Sequence, residues 1–255
     1  MSKSTNMKPR VAFFDFTGCE GDQLQVINLE EKLLELVEIV EIASFREASS
    51  AHSDDYDIAF VEGSATTPHD AERLEEIREN ATTVVALGSC ATIAGINAIR
   101  NSQDFEAVKE RVYGGEGDLF ESWSEAKPIG AVIDVDYEIP GCPIDRQEFL
   151  RVLTDLVRGR EPKMVNYPVC LECKLNENTC AYLRDDICLG PVTRGGCNSI
   201  CVNGGTRCWG CRGLVKNPNE NAACDVLEEH GLTTDEVMNF YNLYFGWQRT
   251  EEVVQ

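Results

Sequence analysis

Several things are missing from this 255-residue chain, and each absence narrows what it can be. No apolar run approaches the ~18 residues that a transmembrane helix needs. The first ten residues hold neither an apolar signal core nor a twin-arginine pair, so the sequence predicts a cytoplasmic protein without an export signal. Basic residues are few. The 23 Lys and Arg stand against 44 Asp and Glu, a net charge of −21, which argues against nucleic-acid binding through phosphates. Histidine is scarcer still, at three. Cysteine is what the chain has in abundance, with twelve. In a reducing compartment twelve thiols favour metal binding over disulfides.

The cysteines are spread unevenly. Residues 1–160 carry 31 acidic and 15 basic residues but only three cysteines, whereas residues 161–255 carry 13 acidic and 8 basic residues with the other nine cysteines. A turn-rich linker between residues 159 and 168 separates them, so the sequence predicts two domains, 1–160 and 161–255. In the first, short apolar runs at residues 10–16, 40–45, 57–63, 82–88 and 131–135 read as strands. Between them lie helical patterns: one face from Val26 to Val40, a Pro-started helix over 68–80, and a helix capped by Asp145 with Glu148 three residues on. Residues 101–128 read as loop and irregular helix. Apolar strands alternating with helices predict an α/β fold, a doubly wound parallel sheet covered on both faces.

Cys19, Cys90 and Cys142 each follow such a strand, with glycines beside them. In an open parallel sheet the carboxyl ends of the strands form one crevice, so this topology can bring the three thiols to one rim. The plainer reading is three separate buried thiols. Asp22 stands where a C-x-x-C partner of Cys19 would be. By itself it reads as a helix-start acid that complements the dipole.

The second part is more specific. Cys170, Cys173, Cys180 and Cys188 run as C-x2-C-x6-C-x7-C, and Cys197, Cys201, Cys208 and Cys211 as C-x3-C-x6-C-x2-C. Two four-thiolate sites follow, and both zinc and iron–sulfur clusters accept four cysteines. Iron–sulfur is favoured, because a third cysteine-rich site nearby makes an electron chain sensible. The rivals are a zinc-stabilised interaction module and, in third place, disulfides. Cys224 is left over on a short amphipathic helix, an ordinary packed thiol.

The segments TGCEGDQL (17–24), FVEGS (60–64), GSCAT (88–92), GCP (141–143), PVCLECK (168–174), CLGPVTRGGC (188–197) and CWGCRG (208–213) together resemble the small, electron-transfer subunit of [NiFe] hydrogenases. They are most similar to the cytoplasmic branch: the sulfhydrogenase delta subunit and the small subunits of the F420-linked and methyl-viologen-reducing enzymes. The resemblance implies a flavodoxin-like first domain and a loop-rich, ferredoxin-like second domain. It implies three [4Fe-4S] clusters: proximal on Cys19, Cys90 and Cys142, medial on Cys197, Cys201, Cys208 and Cys211, and distal on Cys170, Cys173, Cys180 and Cys188. Relatives usually have a cysteine at the place of Asp22, which makes Asp22 the expected fourth proximal ligand. Many periplasmic relatives have histidine in place of Cys170 and lack Cys201. The resemblance puts the nickel–iron centre on a large-subunit partner, so this chain is expected to be inactive alone and to pass electrons to an acceptor module. Flavin, F420, ferredoxin or heterodisulfide reductase modules are all compatible. His52, His69 and His230 match no ligand position. A hydrogen-sensing relative that keeps the clusters without useful turnover is a further alternative.

Overall fold

The computed structural model describes residues 8–253. Strands β1 (Arg10–Asp15), β2 (Glu41–Phe45), β3 (Ile58–Glu62), β4 (Thr83–Leu87) and β5 (Tyr137–Ile139) form a single parallel sheet in the order β2-β1-β3-β4-β5. That is the flavodoxin order, with its topological switch between β1 and β3.

Alternate residues divide the core. Phe13, Phe45, Phe60, Val85 and Leu87 bury on one face with Phe149, where Phe13 stacks on Phe45 at 4.3 Å and on Phe60 at 5.1 Å between ring centroids. This face is covered by α1 (Gly21–Ile27), α2 (Glu31–Ile39) and α6 (Arg146–Val157). Ala12, Ala59, Val61, Val84 and Ala86 bury on the other face under Leu74 and Ile77 of α3 (Pro68–Asn80). The small residues let that helix sit close, and a Thr67–Asp70 capping box fixes its start. After β4 come α4 (Gly88–Ile93), a 3-10 segment (Gly95–Ser102) and α5 (Phe105–Tyr113).

Three expectations need correction. The fifth strand is Tyr137–Ile139, whereas Ile129–Ala131 form a 3-10 turn whose Ile129, with Ile133, plugs the second face of the core. The single helix expected across Val26–Val40 is two helices, broken at Glu30, which has φ 55°. Asp145 caps α6 as expected by accepting from the Gln147 and Glu148 N–H groups, but the Glu148 side chain turns inward instead of completing a box.

Residues 160–166 cross to the cysteine-rich part without regular structure. That part holds α7 (Val169–Leu175), α8 (Ile200–Asn203), α9 (Glu220–Glu229) and α10 (Thr234–Val253), connected by long loops. Its buried apolar core is small: Leu189, Val192, Leu227, Val237, Tyr241 and Phe245. Helix α10 then packs back on the 3-10 segment and on α4, tying the chain's end to the sheet. Among the described residues, no helix is long and apolar enough to cross a membrane.

Candidate redox centre

Three strand ends deliver the first group of side chains to one rim. Cys19 lies in the loop after β1, Cys90 on α4 directly after β4, and Cys142 three residues after β5. Cys19 and Cys142 are exposed and Cys90 is half-buried. Burial, together with Cys142, Asp22, Cys19 and Glu62 nearby, pushes the Cys90 thiol up to about 12. Cys19, Cys142 and Asp22 thus lie within electrostatic reach of Cys90 at one rim of the sheet.

Asp22 lies beneath that rim at 6% exposure. Its Oδ1 accepts the Ile144 N–H at 2.7 Å. Its Oδ2 lies against Gly88, where a Cβ would fall 1.7 Å away, so only glycine leaves room for this carboxyl. Glu62, 2% exposed at the end of β3, accepts from the Asp22 and Gln23 N–H groups at 3.1 and 2.9 Å. Burial first, and then the Glu62 charge, raise Asp22 to about 7. Sequence reasoning did not single out Glu62. Its signal was an acid closing an otherwise apolar strand, in the FVEGS segment.

The second group sits around α7, which carries Cys170 and Cys173 three residues apart on one face. Cys188, Cys173 and Cys180 all act electrostatically on Cys170, whose thiol burial raises to about 11. The Gly190 and Cys208 N–H groups donate to the Cys188 sulfur at 3.4 and 3.3 Å.

The third group is Cys197, Cys201, Cys208 and Cys211. All four line a cavity of about 860 Å³ between the sheet and the cysteine-rich loops, together with Cys142 from the first group. Cys211, pushed up to about 12 by burial, lies within electrostatic reach of Cys197, Cys142 and Cys201. The Ser89 hydroxyl donates to the Cys211 carbonyl, a tie from the sheet. Glu172 braces the Cys197 loop by accepting from the Gly196 N–H at 2.5 Å and the Ser199 N–H at 3.1 Å.

Arg212, which follows the last of these cysteines, is 1% exposed. It donates to the Gly195 carbonyl at 2.6 Å, the Pro140 carbonyl at 2.5 Å and the Glu148 carboxylate at 2.7 Å. One guanidinium therefore locks the Cys142 loop, helix α6 and the Cys197 loop together. Burial raises Glu148 even though Arg212 opposes the shift. Sequence reasoning missed this pair, whose members are 64 residues apart.

All twelve cysteines are free thiols. Among the described residues, no three Cys, His, Asp or Glu side chains close on one point as they would around a single metal ion. Thiols clustered in this way repel one another once ionised, so each group suits a cationic inorganic core. The N–H groups aimed at Cys188 are donors of the kind that stabilise sulfur ligands of iron–sulfur clusters. The donor set and the cavity fit such clusters. Cys224 packs in the small apolar core of the cysteine-rich part, while His52, His69 and His230 are exposed.

Residues 19–156, just over half of the chain, match the family model described as NADH ubiquinone oxidoreductase, 20 Kd subunit. The chain is 40% identical to the sulfhydrogenase 2 subunit delta of Pyrococcus furiosus over 241 residues, covering 93% of this chain and 100% of that one. A solved NAD+-reducing [NiFe]-hydrogenase chain in the H2-reduced state superposes with TM-score 0.57 at 29% identity, covering 62% of this chain and 95% of the other. The actinobacterial-type NiFe-hydrogenase of Ralstonia eutropha H16 shares the fold across 98% of this chain and 92% of its own, with TM-score 0.56 at 14% identity. With its parallel sheet and its three cysteine groups, the chain belongs to the [NiFe] hydrogenase small-subunit family.

Proposed function

We propose that this chain is the electron relay of a cytoplasmic [NiFe] hydrogenase, linking the nickel–iron site of a large subunit to an acceptor module. Cys19, Asp22, Cys90 and Cys142 would hold a proximal [4Fe-4S] cluster, Cys197, Cys201, Cys208 and Cys211 a medial one, and Cys170, Cys173, Cys180 and Cys188 a distal one. Bound there, the clusters supply reversible one-electron chemistry, and the protein sets their ligands, burial and hydrogen bonds.

One observation carries the reading. The three groups adjoin end to end: Cys142 lines the same cavity as all four cysteines of the third group, whose Cys208 N–H donates to the Cys188 sulfur of the second at 3.3 Å. The order this supports is first group, third group, second group, a chain with one end at the sheet rim. That end is open, with Cys19 and Cys142 exposed, which supports a large subunit covering it. Asp22 keeps lone pairs beyond the one taken by Ile144, enough for it to serve as a ligand.

Iron and acid-labile sulfide analysis of anaerobically purified protein tests the proposal. About 12 iron atoms per chain are expected for three cubanes. Stoichiometric zinc with little iron would instead support a structural module.

A further inference from the structure

Cys19 is exposed at the open rim, yet its loop is held from two sides. One side is β3. The Phe16 N–H donates to the Glu62 carbonyl at 2.9 Å, and Thr17 and Ser64 exchange backbone hydrogen bonds at 3.2 and 2.8 Å. Gly63 allows this approach: at φ +90°, a Cβ there would lie 2.6 Å from the Phe16 carbonyl carbon. The other side is the 3-10 segment that follows α4. Gly95, at φ +48°, presses on Cys90, where a Cβ would fall 3.1 Å from its nitrogen and 3.2 Å from its sulfur. Two residues on, the half-buried Asn97 turns its amide to the Cys19 loop. Its Nδ2 donates to the Thr17 carbonyl at 2.9 Å and to the buried Ser64 hydroxyl at 2.7 Å. A carbonyl can only accept, which fixes the end of the amide that faces the loop. Helix α10 backs the segment, with Gly246 set against the Ala98 backbone.

We propose that Asn97 is a positioning residue for the proximal site: its amide ties the Cys19 loop to the segment packed on Cys90, so that two ligands arriving from separate strands keep a fixed spacing. The inference rests on the cluster assignment above. Ligands hold a metal group firmly only when hydrogen bonds and packing outside the ligand set hold them in turn. Asn97 uses its two amide hydrogens on two acceptors of one loop, and a neutral amide adds no charge at the cluster. Because the rim is open beside Cys19, this tie acts before any partner covers the site.

The test measures iron release to a ferrous chelator from the purified, iron-loaded full chain, with redox-titrated electron paramagnetic resonance following each cluster. Wild type must first show three iron–sulfur signals; their absence would overturn the cluster assignment, and the proposal with it. Asn97→Ala removes both hydrogen bonds, so the proximal cluster should lose iron about tenfold faster, with the medial and distal rates unchanged. Asn97→Asp keeps the shape but has no donor, and should match the alanine variant. Should either fail to fold, Ser64→Ala removes one acceptor, leaves the bond to Thr17, and should give about a threefold acceleration. An unchanged proximal rate in any of these variants that folds, or an equal acceleration at all three clusters, would overturn the proposal.

Discussion

Asp22 has two separable roles, and substitutions can pull them apart. One is structural: Oδ1 accepts the buried Ile144 N–H at 2.7 Å, and the carboxyl fills the space beside Gly88. The other is the proposed iron ligand. Asp22→Asn keeps an acceptor of the same shape, so its stability should stay within about 0.5 kcal/mol of wild type, while a neutral amide is a poor ligand to iron. Asp22→Cys keeps a ligand but removes the acceptor, leaving a buried N–H unsatisfied at a cost of about 1–3 kcal/mol. Asp22→Ala loses both. The assays are urea denaturation for stability, with iron counting and redox-titrated electron paramagnetic resonance for the cluster. The expected pattern is crossed: Asn stable but losing proximal iron, Cys less stable but retaining the cluster at a shifted potential, Ala impaired in both. If Asn and Ala both kept the proximal signal and its midpoint, Asp22 would be a helix-start acid only, and the ligand reasoning would be refuted.

Arg212→Met leaves the buried Glu148 carboxylate only the half-exposed Arg151 at 3.6 Å and should cost about 3 kcal/mol by urea denaturation, whereas Arg212→Met with Glu148→Leu should recover most of it. A single loss no larger than the double would contradict that pairing. Removing iron with a chelator should raise amide exchange across residues 169–215 far more than across the five strands, because the cysteine-rich part has so small an apolar core. Gly88→Ala should displace Asp22, since the added methyl would fall 1.7 Å from Oδ2 at a φ of +84°, and it should lower proximal cluster occupancy measured as iron per chain.

The parallel sheet was legible because its strands are apolar on both faces, as in Phe13–Phe14 and Val84–Val85. The fifth strand was not. Its three residues include Glu138, which faces outward to an ion pair with Arg194, while the more apolar 129–133 stretch plugs the core without pairing. The break at Glu30 was hidden because α1 and α2 bury residues against the same face, so the apolar rhythm runs through the gap. Helix α10 shows no single apolar stripe, for it packs Phe245 on the cysteine-rich loops and Gly246 on the sheet side. In the second part the spacing pointed to two sets of four cysteines, because each set spans few residues. What no local pattern held were the long-range partners: Glu62 under Asp22 and Glu148 against Arg212.

The central claim is that this chain carries electrons for hydrogen chemistry performed on another subunit. The most direct test exposes the purified, iron-loaded chain to hydrogen, alone and in complex with its large subunit, and follows cluster absorbance anaerobically. The account predicts bleaching only in the complex. Bleaching of the chain alone, or none in a complex that contains nickel, would contradict it.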